Sequence, residues 1–263
     1  MEWNKRIKGG KHLKFEIDAK ELLVAIQDIQ GRGMYLSGSG VSNSSLSEEF
    51  YMVLKDNVLD LWNADNTYAL NITLEVIGEV DGEYAGDAKK LAKYLRKFSG
   101  SIQFNIEDVL SFTDGNRRVS MPSLANHSEL TAINRIEGML KHITYNEELT
   151  LPLFGQGKFE GAFILDSSLF NNAITMCEMV GHGIYKLNYT GNNITFSSQT
   201  TIANRYEETI ELETCIGEAA TVEWSGPLHR FFKGDITFYV KDDFPLVLVN
   251  QNRRLIKAPY IGE

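Results

Sequence analysis

Adjacent carboxylates are the residues of this sequence best suited, by type, to chemistry: Glu48-Glu49, Glu147-Glu148, Glu207-Glu208 and Asp242-Asp243. Such pairs can shuttle protons or hold Mg2+ when they converge on one point. Adjacent acids on strands and turns point apart into water, so these pairs read as surface charge. A metal-dependent hydrolase or nuclease on an antiparallel scaffold is the alternative they support, and a divalent-metal nuclease assay separates it from a non-enzymatic role. The histidines His12, His127, His142, His182 and His229 form no HExxH or other metal-ligand spacing. Cys177 and Cys215 lack a CxxC spacing and read as small buried apolar residues. Gly31-Arg-Gly33, Gly38-Ser-Gly40 and Gly155-Gln-Gly157 match neither a Walker loop nor a dinucleotide fingerprint and read as flexible loops. No catalytic residue, metal or cofactor is expected.

The elements that carry these residues repeat. Leu13 to Ile17 reads as a strand, and Asp18 is placed to cap a helix over Ala19 to Ile29 whose apolar stripe is Leu22, Ile26 and Ile29. Gly31 to Ser47 reads as a surface loop, followed by strands Glu49 to Lys55, Val58 to Trp62 and Tyr68 to Val76 around the Asp56-Asn57 turn. A second round opens with Asp87 capping a helix over Ala88 to Phe98. Strands Ile102 to Glu107, Val109 to Thr113 and Arg118 to Met121 follow, the last two joined at Asp114-Gly115. The pattern then breaks, with a helical stretch near Glu129 to His142. It resumes as strand Phe159 to Leu165, the Asp166 cap, helix Ser167 to Val180, and strands Ile184 to Tyr189, Ile194 to Ser198, Glu207 to Glu213 and Thr221 to Trp224. A short helical piece over Leu228 to Lys233 and strands Asp235 to Val240 and Leu246 to Val249 complete a fourth round. The reading is an α+β chain with residues 1–124 as one domain, 125–157 as a linker and 158–263 as a second, each holding two strand-helix-strands units.

The 263 residues suffice for two cores, and 43% hydrophobic with 23% charged residues is a folded, not a disordered, composition. No apolar run approaches the ~20 residues of a membrane span. Met1 to Lys14 is basic but lacks the apolar stretch of a secretory signal, so the chain is expected inside the cell. The Asn-x-Ser/Thr sites at Asn43, Asn71, Asn188 and Asn193 then have no glycosylation role.

Several segments resemble the DNA sliding clamps of the proliferating cell nuclear antigen type, in that family's order. They are Phe15-Glu-Ile17 through Ile26; Val58-Leu-Asp-Leu-Trp-Asn-Ala-Asp65 through Leu74; Phe159 to Val180; Asp243-Phe-Pro245-Leu-Val-Leu-Val249; and Leu255-Ile-Lys-Ala258-Pro259-Tyr-Ile261. The 31–47 loop, the linker and the amino terminus are longer than the family's, and no acidic tail follows Glu263. The resemblance implies a non-enzymatic processivity factor: a ring of three chains around duplex DNA, helices lining the hole and antiparallel sheets outside, tethering DNA polymerase and engaging a clamp loader. A subunit of a heteromeric checkpoint ring, or a viral clamp with altered partners, resembles the family equally.

Charge placement has to serve that role on a chain of net charge -9. On a helix over Ala88 to Phe98, Lys89, Lys93 and Arg96 fall within about 60° of one another, flanked by Lys90 and Lys97, with Leu91, Leu95 and Phe98 opposite. Such a face suits DNA phosphates, contacted without reading bases. Lys20 on the first helix and His229, Arg230 and Lys233 near the end are further candidates, while Ser167 to Val180 holds no Lys or Arg. Asn171, Asn172 and Thr175 there can donate to phosphates.

By resemblance, the edges joining copies are Val109-Leu110-Ser111-Phe112-Thr113 and Ile184-Tyr185-Lys186-Leu187-Asn188-Tyr189, with Phe112 and Tyr185 as contact residues. A partner-peptide groove is expected to use Asp65, Asn66, Tyr68 and Ala69, the linker residues Leu151, Pro152, Leu153 and Phe154, Pro245, and Ala258, Pro259 and Tyr260.

Overall fold

The computed structural model describes residues 12–31, 49–64, 67–107, 109–122, 140, 143, 145, 148–180, 184–201, 204–226, 228 and 230–260. The chain forms two compact units. One comprises Met1–Gln30, Leu46–Asn63 and Asn71–Leu130; the other comprises Gly31–Ser45, Ala64–Leu70 and Thr131–Glu263.

The first unit begins with β1 (Leu13–Asp18), whose alternation buries Leu13, Phe15 and Ile17. Asp18 ends the strand and starts helix α1 (Ala19–Ile29), its Oδ1 accepting from the Lys20 and Glu21 amides at 2.9 and 3.1 Å. Strands β2 (Glu49–Lys55) and β3 (Val58–Ala64) meet at Asp56-Asn57, both at positive φ as a tight hairpin turn requires. β4 (Tyr68–Glu75), whose first three residues belong to the second unit, β5 (Ile77–Val80) and β6 (Gly82–Asp87) follow. Asp87 then caps α2 (Ala88–Leu95) through the Lys90 amide at 2.7 Å. β7 (Ser101–Ile106), β8 (Val109–Thr113) and β9 (Arg118–Pro122) end the unit's regular structure. One sheet has the order β5-β1-β7-β8-β9, and β4-β3-β2-β6 run side by side in another. Phe15, Phe104 and Phe112 stack in series across the first sheet, 4.9 and 5.0 Å apart, and the Phe98 ring closes the series edge-on at 5.0 Å.

The second unit contains the small hairpin β10 (Leu153–Phe154) and β11 (Gly157–Lys158), then β12 (Gly161–Asp166) and α3 (Ser167–Val180). β13 (Ile184–Tyr189), β14 (Asn193–Thr201), β15 (Asn204–Glu211), β16 (Cys215–Gly217) and β17 (Ala220–Ser225) follow, and β18 (Asp235–Val240), β19 (Leu246–Val249) and β20 (Arg253–Lys257) complete it. Its sheets run β15-β14-β13-β17 and β16-β12-β18-β19-β20. Its aromatic core repeats that of the first unit: Phe163 stacks on Phe238 at 4.7 Å, and Phe170 meets Phe238 edge-on.

Several sequence expectations are corrected here. α2 ends at Leu95; Arg96, Lys97 and Phe98 form a tightening last turn with i→i−3 bonds, Lys97 to Tyr94 and Phe98 to Leu95. The described residues of Leu228 to Lys233 are not helical: three side chains from elsewhere in the unit hold that stretch in an irregular path. Asn171 Oδ1 accepts from the Arg230 amide, the Arg253 guanidinium donates to the Phe231 carbonyl at 2.7 Å, and Asn250 Nδ2 donates to the Lys233 carbonyl. Gly155-Gln156 is a two-residue hairpin turn into Gly157 of β11, not a loose loop. The linker helix near Glu129 to His142 lies outside the described residues except for buried Leu140.

Candidate functional site

The candidate residues fall on helix faces, on strand edges and around the end of the described chain. On α2 and the turn that follows it, Lys89, Lys90, Lys93, Arg96 and Lys97 are all exposed, while Ala88, Leu91, Ala92 and Leu95 are buried. The separation follows from the 100° step of the helix: the apolar stripe turns inward and the basic residues take the remaining arc. Sequence reasoning missed Arg117. Its guanidinium lies 4.8 Å from the Phe98 ring centroid, donates to the Lys97 carbonyl and pairs with Asp114 at 2.6 Å. The Arg117 side-chain and backbone hydrogen bonds hold the Asp114 carboxyl below its usual range. Arg117 thus sits at the C-terminal end of the basic arc. Lys20 is exposed on α1 beside Glu21 and the half-exposed Val24.

α3 is different. Its outward residues include Leu169, Asn172, Met176 and Met179, with Met179 72% exposed, and none carries a positive charge. Thr175 spends its hydroxyl on the Asn171 carbonyl, and Asn171 spends its Oδ1 on Arg230. Arg230 and Lys233 are exposed on the irregular stretch, and Arg230 is held at φ 69. His229 lies outside the described residues. Glu178, on the same helix, is half-buried, and desolvation pushes its carboxyl up to about 7 despite the pull of Arg230.

The second surface is made of strand edges. Neither expected edge is one: β8 lies between β7 and β9, and β13 lies between β14 and β17, so both have ladders on each side. Phe112 and Tyr185 are buried, the former against Phe104 and the latter stacked on Trp224. Among the described residues the terminal strands of the larger sheets are β5, β9 and β6 in the first unit and β15, β17 and β16 in the second, and β9 and β15 are the terminal strands next to the expected β8 and beyond β14 from the expected β13. β9 starts with exposed Arg118 next to Arg117, whereas β15 exposes Glu207 and Glu211.

The third surface surrounds the end of the described chain. Among the expected groove residues, Tyr68 and Ala69 are buried, because the Ala258 amide donates to the Thr67 carbonyl at 2.9 Å and Lys257 covers the Tyr68 ring. Phe154 is buried against Phe159 and Phe244. Leu151, Pro152, Pro245, Ala258 and Pro259 are half-buried, Leu153 and Tyr260 are exposed, and Asp65 and Asn66 lie outside the described residues. Pro259 and Tyr260 border a cavity of about 240 Å³ with Thr221, Val222, Glu223, Asp242, Asp243 and Phe244. Of the carboxylate pairs, Glu207 and Glu208 alternate in exposure on β15, and Glu208 accepts from the Tyr206 hydroxyl at 2.5 Å. Among the described residues no three His, Cys, Asp or Glu side chains gather to hold a metal, and no helix is long and apolar enough to cross a membrane.

No protein-family model matches the sequence, and no curated protein matches it. Solved structures do. The A. fulgidus PCNA with the C-terminal region of FEN-1 bound superposes at TM-score 0.69 and 12% identity, over 95% of this chain and 99% of that one. Proliferating Cellular Nuclear Antigen from Entamoeba histolytica superposes at 0.63 and 11% identity, over 96% and 99%. The DNA polymerase III beta subunit of Thermotoga maritima superposes at 0.67 and 12% identity, over 95% of this chain and 66% of that one. The antiparallel sheets and the few helices are those of these proteins, and the chain has the sliding-clamp fold of the proliferating cell nuclear antigen type.

Proposed function

We propose that this protein is a DNA sliding clamp, a non-enzymatic processivity factor that encircles duplex DNA and tethers DNA polymerase and other replication or repair enzymes. One observation carries the reading: on a chain of net charge -9 with a clamp fold, the cationic side chains of α2 gather on its exposed face. A surface of this kind screens phosphates without selecting a base sequence, as sliding demands.

Assembly, in this reading, joins β9 of one copy to β15 of the next. The two edges differ, so the contact is head-to-tail, and three copies close the ring. Exposed Arg118 at one edge and Glu207 and Glu211, beside Arg205, at the other favour the pairing of unlike edges over like ones. Partner enzymes and a clamp loader dock by short peptides near Leu153, Pro245 and the Ala258-Pro259-Tyr260 segment. The A. fulgidus protein with the FEN-1 C-terminal region bound supports that mode.

The test is retention on closed DNA. Chains assembled on a nicked circular plasmid should stay bound through a high-salt wash and be released when the plasmid is linearised, with native mass spectrometry reporting a trimer. Equal loss from circular and linear DNA refutes a topological tether, and a strictly monomeric chain refutes the ring. Calorimetry with a Gln-x-x-aliphatic-x-x-aromatic-aromatic peptide tests the partner groove, with an affinity on the order of micromolar expected.

A further inference from the structure

Helix α2 ends among like charges. Lys89 and Lys93, Lys93 and Arg96, and Lys93 and Lys97 stand at the spacings where helical side chains become neighbours and equal charges repel. Arg96 and Lys97 also lie past Leu95, the last α-helical residue. They sit in a turn closed by the Lys97 amide on the Tyr94 carbonyl at 2.9 Å and the Phe98 amide on the Leu95 carbonyl at 3.0 Å. The last carbonyls of a helix have no partner within it. A short, self-repelling last turn therefore frays unless something outside the helix holds it.

Arg117, in the turn between β8 and β9, supplies that hold. Each of its three side-chain nitrogens donates within the chain: Nε and Nη2 to Asp114 Oδ2 at 3.0 and 2.6 Å, and Nη1 to the Lys97 carbonyl. The guanidinium lies 4.8 Å from the Phe98 ring centroid, and Phe98 in turn meets Phe112 of β8 edge-on. Asp114 fixes the other end. Its Oδ1 accepts from the Asn116 and Arg117 amides at 3.1 and 2.8 Å, so one carboxylate grips both the backbone and the guanidinium of the turn. A cation is favoured at the negative end of a helix. Here its charge is matched by Asp114, so the hold adds no net charge to a face already dense in cations. An exposed arginine with every nitrogen engaged and its charge balanced is suited to fixing its neighbours rather than to binding phosphate itself.

We propose that Arg117 is a positioning residue for the cationic face: it locks the last turn of α2 and so sets where Arg96 and Lys97 meet duplex phosphates. This rests on the DNA reading of α2 above and adds to it a residue that acts on DNA only through its neighbours.

The experiment measures binding of the full chain to a short duplex by fluorescence anisotropy between ~50 and ~200 mM salt. Asp114→Asn with Arg117→Gln removes one negative and one positive charge and leaves the net charge as it is. This double variant should weaken binding about fivefold and lower the slope of log affinity against log salt by about one. In an Arg96→Gln, Lys97→Gln background the same two changes should alter affinity by less than about twofold. Equal losses in the two backgrounds overturn the proposal. Should the double variant fail to fold by circular dichroism, Arg117→Lys takes its place. It keeps the charge without the planar fork, and a loss of about threefold confined to the background that retains Arg96 and Lys97 is expected. If the wild-type chain binds no duplex, the DNA reading of α2 fails on its own account, and the lock is read by amide hydrogen exchange. Faster exchange at Lys97 and Phe98 in the variant upholds it, and unchanged exchange overturns it.

Discussion

The ammonium of Lys257 lies 3.6 Å from the centroid of the Tyr68 ring, and both side chains are buried, at 2% and 5% exposure. A cation removed from water needs such compensation, and a desolvated cation–π contact is worth about 2 kcal/mol. Tyr68→Leu should therefore lower stability by about 2 kcal/mol in chemical denaturation, whereas Tyr68→Phe, which keeps the ring, should lose much less. Equal losses would mean that the phenolic oxygen, not the ring, holds Lys257. In either case Tyr68 reports on folding and is the wrong residue with which to probe a peptide groove.

Reversal of the α2 face tests the DNA contact. Lys89→Glu, Lys93→Glu and Arg96→Glu together replace three exposed cations and leave the buried Leu91 and Leu95 stripe intact. The triple variant should fold normally and lose polymerase stimulation on a long primed template, about tenfold or more at 100 mM salt. Undiminished stimulation by a folded variant would remove α2 from the DNA path.

Charge at the open edges tests assembly. Glu207→Lys with Glu211→Lys should weaken self-association about tenfold in sedimentation, most at low salt, and Arg118→Glu in the same chain should restore part of the loss. Unaltered sedimentation of both variants would place the contact between copies elsewhere.

Acid titration should reveal Glu178. Its folded-state carboxyl, raised by burial to about 7, holds a proton that the unfolded chain releases near pH ~4.3. The group's stabilising contribution is thus full below that pH and is lost as pH rises through about 7. Glu178→Gln should flatten denaturation midpoints between pH 5 and 8 and exceed the wild type at pH 8. Parallel pH profiles of the two proteins would show a solvated Glu178.

Local signals were the legible ones. Asp18 and Asp87 cap their helices as their positions ahead of apolar stripes suggested, and the 100° step put the α2 lysines outside. Edge status was not legible, because whether β8 or β9 ends a sheet depends on pairing across the sheet, and both strands alternate alike. β5 is four residues with three of them exposed, too short for a period-two pattern to stand out. The irregular course after β17 depends on Arg253 and Asn250, some twenty residues away, so helical spacing within Leu228 to Lys233 misled. The burial of Tyr68 was hidden for the same reason: Lys257 is distant in sequence.

The turn at Asp56-Asn57 has a consequence for colloidal behaviour. β5 also ends a sheet and exposes Ile77 and Val80, the raw material for indiscriminate strand stacking. Asn57 accepts the Gly78 amide on its side-chain oxygen at 3.0 Å and the Val76 amide on its carbonyl at 2.9 Å. One residue thus occupies an outward amide of this edge strand, that of Gly78, and the amide of Val76 just before the strand. Asn57→Gly should uncover the Gly78 amide beside exposed Ile77 and Val80, and light scattering at high concentration should then show more aggregation than the wild type.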